Sequence, residues 1–446
     1  MTVRVARRHA RPAAACHDGP MTRPRPRATG RVPSPRRRPA RLLATSLLAA
    51  GVLALPACAA APEAELPAGS PGGPGPAPGA PPSGPDAGTD PGPGQGPRTF
   101  TLNVSGDLLW HDELWESAEL DAARTGRGTM DFLPQLESVR QYAAAADLAV
   151  CHAEVPFAPE GGPYRAYPSF AAPPQAARAV AAAGFDVCTT ASNHALDAGW
   201  QGLVRTLDVH EEAGIGAVGS YRSAREAEAP FVHVAEDGTR VGIVSQTYAL
   251  NGIPHPAGRE WSVPLLDAEA AIADARAARA AGAEIVAVHL HAGSEYVTAP
   301  NAEQVAFVEE VTASGAVDVV FGQHAHSVQP VDVVNGVWVV YGTGNLLAHQ
   351  ELGAPHSYDG AMVELTFTEG RDGRFAVRGA EYAPTLITPL DGDRPARVLV
   401  IPFERADHPG LAGRMDASAA RTRQAIRSLD VEGLAERTAS GPRAGS

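Results

Sequence analysis

The residues best able to do chemistry fall in five short stretches that each follow an apolar run. They are "SGD" ending at Asp107, "CHAE" ending at Glu154, "ASNHALDAG" with Asn193, His194 and Asp197, "VHLHAGSE" with His291 and Glu295, and "GQHAH" with His324 and His326. In an extended segment residues i and i+2 point the same way. The two imidazoles of His324-Ala325-His326 would therefore sit side by side in an apolar setting. That is costly unless both are neutral, and neutral imidazole is a metal ligand. Taken singly, Asp107 would read as a turn residue, Asn193 as a helix cap and His291 as a core histidine. Taken together, they read as ligands. Carboxylate, amide and imidazole without thiolate suit Mn, Fe or Zn better than copper, and the imidazoles count against Ca or Mg. One Asp, one Glu, one Asn and three His exceed a single tetrahedral shell. Two divalent ions sharing a carboxylate are therefore expected, the arrangement that activates water and clamps both oxygens of an in-line displacement. His194 would protonate a departing oxygen, and Asp197 would hold its ring. His111, His152 and Glu295 are candidates for a further ligand or for a partner behind the ligands. His289 is left as a core residue or such a partner.

What must position these residues is an α/β domain. "TFTLNVSGD", "DLAVCHAE", "FDVCTTASNH", "IGAVGSY", "RVGIVSQTYA", "EIVAVHLHAGSE", "VDVVFGQHAH" and "VWVVYGTGN" read as strands. Helical patterns lie between them near 134–146, 173–183, 199–213, 267–282 and 301–314. Continuous Val/Ile runs alternating with helices predict strands covered on both faces. "MVELTFTEGRDGRFAVRGAEY" predicts a hairpin turning at Asp372-Gly373 and, with the rest, two sheets flanked by helices. Ligands of such sheets collect beyond the carboxyl ends of the strands. After residue 405 only one weakly amphipathic helix and a polar tail are expected.

The N-terminal region is different. Residues 1–57 hold twelve Arg and one acid, and Leu42 to Ala57 is apolar, which reads as an export signal starting at Met1 or Met21. The context "LALPAC" resembles the lipobox of bacterial lipoproteins, which implies a lipid on Cys58; plain secretion is the alternative. Residues 58–97 are mostly Pro, Gly and Ala, a semi-stiff tether. The formal charge is −13 overall, hence −24 beyond residue 57. So acidic a remainder argues against nucleic acid as a partner. Lysine is absent, which removes Walker-type loops and Schiff-base chemistry. "GIGAVG" (214–219) follows a helix pattern and enters a strand, the reverse of a dinucleotide fingerprint, and reads as a helix stop. Cys151 and Cys188 are read as two buried thiols rather than a disulfide.

The order of Gly106-Asp107, Glu154-Val155-Pro156, "NHALDAG", "HAGSEY", "GQHAHSVQP" and "YGTGNL" resembles the bacterial capsule-synthesis family of CapA type, linked to poly-γ-glutamate and similar in fold to calcineurin-like metallophosphoesterases. The resemblance covers roughly residues 100–347. It implies a metallophosphatase-like α/β/β/α sandwich over 98–405. It also implies metal-site residues Asp107, Glu154, Asn193, His291, His324 and His326, with His194 as the catalytic histidine. The implied substrate is an anionic polymer or a phosphoester, with membrane-bound capsule synthesis or export proteins as partners. A polymer-holding assembly factor without turnover and an envelope phosphatase are the alternatives. Three positions depart from the family pattern: His152 replaces an Asn, Ala292 replaces a Trp, and Leu109 stands where the phosphoesterases have a His after the first Asp.

Overall fold

A computed structural model describes residues 96–350 and 354–438. The expected export signal, Cys58 and the tether up to residue 95 lie outside the described residues. Among the described residues no helix is long and apolar enough to cross a membrane.

The chain builds one sheet, then a second, then returns to the first. β1 (Thr99–Leu108), β2 (Leu148–Ala153), β3 (Val187–Thr189) and β4 (Gly216–Val218) pair in parallel. β5 (Val232–Val234), β6 (Arg240–Thr247), β7 (Ile285–His291), β8 (Val319–Gln323), β9 (Val331–Val334) and β10 (Val337–Val340) form the second sheet, in the order β5-β6-β7-β8-β10-β9. β11 (Asn345–Leu347), β12 (Asp359–Glu369), β13 (Phe375–Thr388), β14 (Arg397–Val400) and β15 (Leu434–Glu436) complete the first, whose path is β14-β13-β12-β1-β2-β3-β4. Both sheets are mixed: β12 is antiparallel to β1, and β9 is antiparallel to β10.

Alternation along the strands makes four layers. Phe100, Leu102, Val104 and Val150 meet Ile243, Ile285, Ala287 and Phe321 in a core between the sheets. Ala149 and Cys151, on the opposite face of β2, pack under α1 (Asp112–Thr125), α2 (Leu133–Ala143) and α3 (Gln175–Ala182) through Leu114, Leu136 and Ala176. Val286, Val288 and Leu290 of β7 do the same under α6 (Ala268–Ala280) and α7 (Ala302–Ala313). The remaining helices are α4 (Gly199–Glu212), the short α5 (Ala224–Glu228) and α8 (Ile401–Glu404), and α9 (Ala412–Ile426). This is the α/β/β/α sandwich of two mixed sheets that the sequence led us to expect, with the hairpin from β12 to β13 turning through Gly373.

Beyond several short elements that the sequence reading did not name, three features stand out as differences. α1 falls where no helix was expected: its buried stripe, Leu114, Ala118 and Ala122, is mostly alanine. After residue 405 the helix forms, but the chain then adds β15 to β13 in parallel. Cys151 and Cys188 are buried as expected, yet they are joined in a disulfide. The parallel register sets Cys151 opposite Cys188, with Cα atoms 4.5 Å apart, inside the range a disulfide spans.

Candidate metal centre

The site continues the inter-sheet core. Along β2, Leu148 and Val150 face the second sheet, and the same face then carries His152 and Glu154. Along β7, Ile285 and Ala287 are followed on that face by His289 and His291. Hydrophobic side chains thus give way to ligand-type side chains at the carboxyl ends, as strand-end sites require. Asp107 has the wrong parity for this face, since Phe100, Leu102 and Val104 are even-numbered. A register shift between Val104 and Asp107 corrects it. The shift brings Gly106 against β11: a Cβ there would lie 2.1 Å from Gly344 O, so the approach needs glycine. Gly322 plays the same part before the histidine pair, where a Cβ would lie 2.3 Å from Tyr341 O. Beyond it, His324 and His326 adopt φ values of 96° and 49°, a region non-glycine residues rarely enter. Gln323 ties the sheets together here, donating from Nε2 to Ser105 O (2.6 Å) and Thr343 Oγ1 (3.0 Å).

All six residues expected to be ligands are buried and near one another. Glu154 Oε1 lies 3.7 Å from both His291 Nε2 and His326 Nε2. Asn193 Oδ1 lies 2.9 Å from His291 Nε2. His326 Nδ1 lies 3.0 Å from Asp107 Oδ2 and 3.0 Å from Asn345 Oδ1. The atoms of three groups approach within 4.8 Å of one another: Glu154 with His324 and His326, Asp107 with His152 and Glu154, and His152 with His289 and His291. The structure therefore brings His152 into the centre, along with His289, which sequence reasoning had left among core or supporting residues. The i, i+2 spacing of His289 and His291 is the signal that places it there.

The donor set fits divalent cations. Asp107 Oδ1, both Glu154 oxygens and His324 Nδ1 are buried and have no hydrogen-bond partner in the protein, whereas buried polar atoms are ordinarily paired. Donors about 2.1 Å from one ion stand roughly 3 Å apart, close to the Asn193–His291 separation. Burial lowers His289 and His324 to about 3 and holds His152 and His291 well below the usual histidine range, so their lone pairs are free at neutral pH. Burial also pushes Glu154 well above the usual carboxyl range. His326 goes the other way: burial opposes its charge, but Glu154 and Asp107 outweigh that and raise it to about 9. These two shifts pull against each other, because a neutral Glu154 would not support a charged His326. The Asp107 contact at hydrogen-bond distance raises His326 in its own right. Glu154, 3.7 Å from its nearest basic nitrogens, is governed by burial. A divalent cation inverts this balance, favouring ionised carboxylate and neutral imidazole.

His194 stands at the edge. Its Nδ1 lies 2.7 Å from Asp197 Oδ2, and its ring packs edge-on against Phe170 at 4.9 Å. Asp197 Oδ2 also accepts from Phe170 N at 2.8 Å, so the carboxylate fixes both the imidazole and the aromatic wall beside it. Asn251, in the loop after β6, accepts at Oδ1 from Asn193 Nδ2 (3.2 Å), and its Nδ2 lies 3.4 Å from His194 Nδ1; no sequence signal marked it. Asn345, from the "YGTGNL" stretch, also reaches the site, its Oδ1 3.0 Å from His326 Nδ1. His111 is not brought into these groups; its Nδ1 lies 3.1 Å from Leu109 O and accepts from His349 N, and its ring packs on Phe170 at 5.2 Å. Glu295 is exposed at the rim.

Comparison with known proteins places the chain in a family. The family described as bacterial capsule synthesis protein PGA_cap matches residues 101–350, more than half of the chain. The chain belongs to this family. Named relatives resemble it: the PGA biosynthesis protein CapA of Bacillus subtilis is 26% identical over 218 residues, covering 47% of this chain and 54% of that protein. The capsule biosynthesis protein CapA of Bacillus anthracis is 28% identical over 192 residues, covering 42% and 45%. The chain thus spans about half the length of these relatives. Among solved structures, the calcineurin-like phosphoesterase YfkN of Bacillus subtilis is similar at 14% identity and a TM-score of 0.35, over 71% of this chain and 99% of that one.

Proposed function

We propose that this member of the capsule synthesis family is an exported, metal-dependent hydrolase of the cell envelope. It is held to the membrane by a lipid on Cys58 and acts on a phosphoester or on an anionic capsule polymer of poly-γ-glutamate type, or on that polymer's anchor. The observation that carries the reading is the buried, unpartnered donor set gathered from strand ends of both sheets. Export is supported by the Cys151–Cys188 disulfide, since such bonds persist in oxidising compartments.

Asp107, Glu154, Asn193, His291, His324 and His326 would hold two divalent ions, of Mn, Fe or Zn, with Glu154, which belongs to two of the three groups, available through both oxygens. Such ions supply Lewis acidity and lower the pKa of water. The protein's own part is positioning and proton transfer. His194 Nδ1 is held by Asp197, which leaves Nε2 to protonate the departing oxygen. Phe170 keeps solvent from the other side of that ring. The strongly acidic surface means an anionic substrate is gathered by this local centre rather than by the whole surface field.

The test is His194→Ala, assayed with a phosphodiester screen under added Mn. Turnover should fall by about 100-fold or more while metal content persists. Unchanged turnover would remove the hydrolase reading and leave a polymer-binding assembly factor, for which the same cluster is structural.

A further inference from the structure

We propose that His152, His289 and His291 form a separate, nitrogen-only position for a transition-metal cation. It lies one step deeper between the sheets than the carboxylate-bearing centre. The inference draws His291 from the set of the proposed reading: a neutral imidazole has one lone pair, so a His291 that ligates here through Nδ1, its Nε2 hydrogen-bonded to Asn193, leaves the outer ions to the other five residues.

Each of the three side chains is fully buried, and one ring nitrogen from each lies within 4.8 Å of the other two. Each keeps a buried nitrogen with no partner in the protein: Nε2 of His152, Nε2 of His289 and Nδ1 of His291. The remaining nitrogens are engaged. His152 Nδ1 is 2.8 Å from Thr189 Oγ1, His289 Nδ1 is 2.8 Å from Ser245 Oγ, and His291 Nε2 is 2.9 Å from Asn193 Oδ1. Hydrogen bonding of one ring nitrogen while the other is left free is how proteins orient metal-ligating histidines. A core histidine kept only for packing has no need of two equally unpartnered neighbours, with ring centroids 4.7 Å away from His152 in both cases.

The ligand chemistry differs from that of the outer cluster. Three imidazoles suit Zn, Cu, Ni or Fe and give no hold to Mg or Ca. Asp107, whose Oδ1 is also unpartnered, shares a second group with His152. An ion here would join β2 of the first sheet to β7 of the second, so it would act as a clamp across the sandwich.

The experiment uses the full chain, stripped by chelator and reloaded with Co²⁺, with bound equivalents counted by elemental analysis. His289→Ser should bind one equivalent fewer than the unaltered protein, and Co²⁺ should raise its melting temperature less. The same count in both proteins would overturn the proposal. Because His289→Ser could misfold, its circular dichroism is compared first. A second measurement needs no variant: crystals soaked in Zn²⁺ should give an anomalous peak about 2.0–2.1 Å from the three nitrogens. A peak at Glu154 with none at the histidine trio would overturn the proposal while leaving the hydrolase reading intact. A loaded trio with no turnover would do the reverse.

Discussion

Asp197→Asn separates positioning from metal binding more cleanly than any other substitution. Asp197 Oδ2 accepts at 2.7 Å from the His194 ring and at 2.8 Å from Phe170 N, and its side chain is almost wholly buried. Asparagine is nearly isosteric, and because both contacts fall on the one atom Oδ2, a neutral amide group faces His194 Nδ1 whichever way it turns, where a charge-assisted bond to a carboxylate stood. Such bonds are worth about 1.5–3 kcal/mol, and each 1.4 kcal/mol is tenfold, so kcat should fall roughly 10- to 150-fold. The metal-ligating atoms are untouched, so metal content should not change. The assay is hydrolysis of bis-p-nitrophenyl phosphate, or of whichever phosphodiester the screen identifies, at saturating Mn, with metal counted on the same sample. A kcat within threefold of the unaltered protein at equal metal content would refute the role given to the pair. A loss of metal together with activity would show instead that Asp197 supports the ligands.

Further outcomes follow from the same structure. Gly106→Ala puts a Cβ 2.1 Å from a backbone oxygen that cannot move aside, so a destabilisation of about 3 kcal/mol or more is expected; a denaturation midpoint equal to that of the unaltered protein would contradict this. The Cys151–Cys188 bond closes a separation of 37 residues, for which chain entropy gives roughly 4 kcal/mol; denaturant titration with and without reductant reads it directly. His210 is buried in α4 beside Phe157, and burial lowers it to about 4. Its folded pKa lies below the unfolded value, so the unfolded chain takes up the proton first as pH falls. Stability should therefore drop by about 3 kcal/mol between pH 6.5 and pH 4, and His210→Leu should flatten that part of the curve.

Much of the site could be read from the sequence because its logic is local. Asp107, Glu154, Asn193, His291 and the His324/His326 pair each end an apolar run, and strand ends are where an α/β sheet presents ligands. What the sequence withheld depends on register. Asp107 reaches the right face only through an irregularity in β1, and no residue type announces that. The disulfide depends on β2 and β3 pairing in step across 37 residues. His289 differs from a core histidine only in what stands opposite it, namely His152 on the other sheet. α1 escaped notice because alanines make a weak apolar stripe, and β15 because three residues are too few to show a period.

The most direct test of the account is calorimetric titration of the metal-stripped full chain with Mn²⁺, beside Glu154→Gln. The unaltered protein should bind saturably, and loss of the shared carboxylate should weaken binding by at least about 100-fold, beyond what supporting residues contribute. Equal affinity in the two proteins, or no binding by the unaltered chain, would contradict the claim that these distant strand ends converge to hold cations.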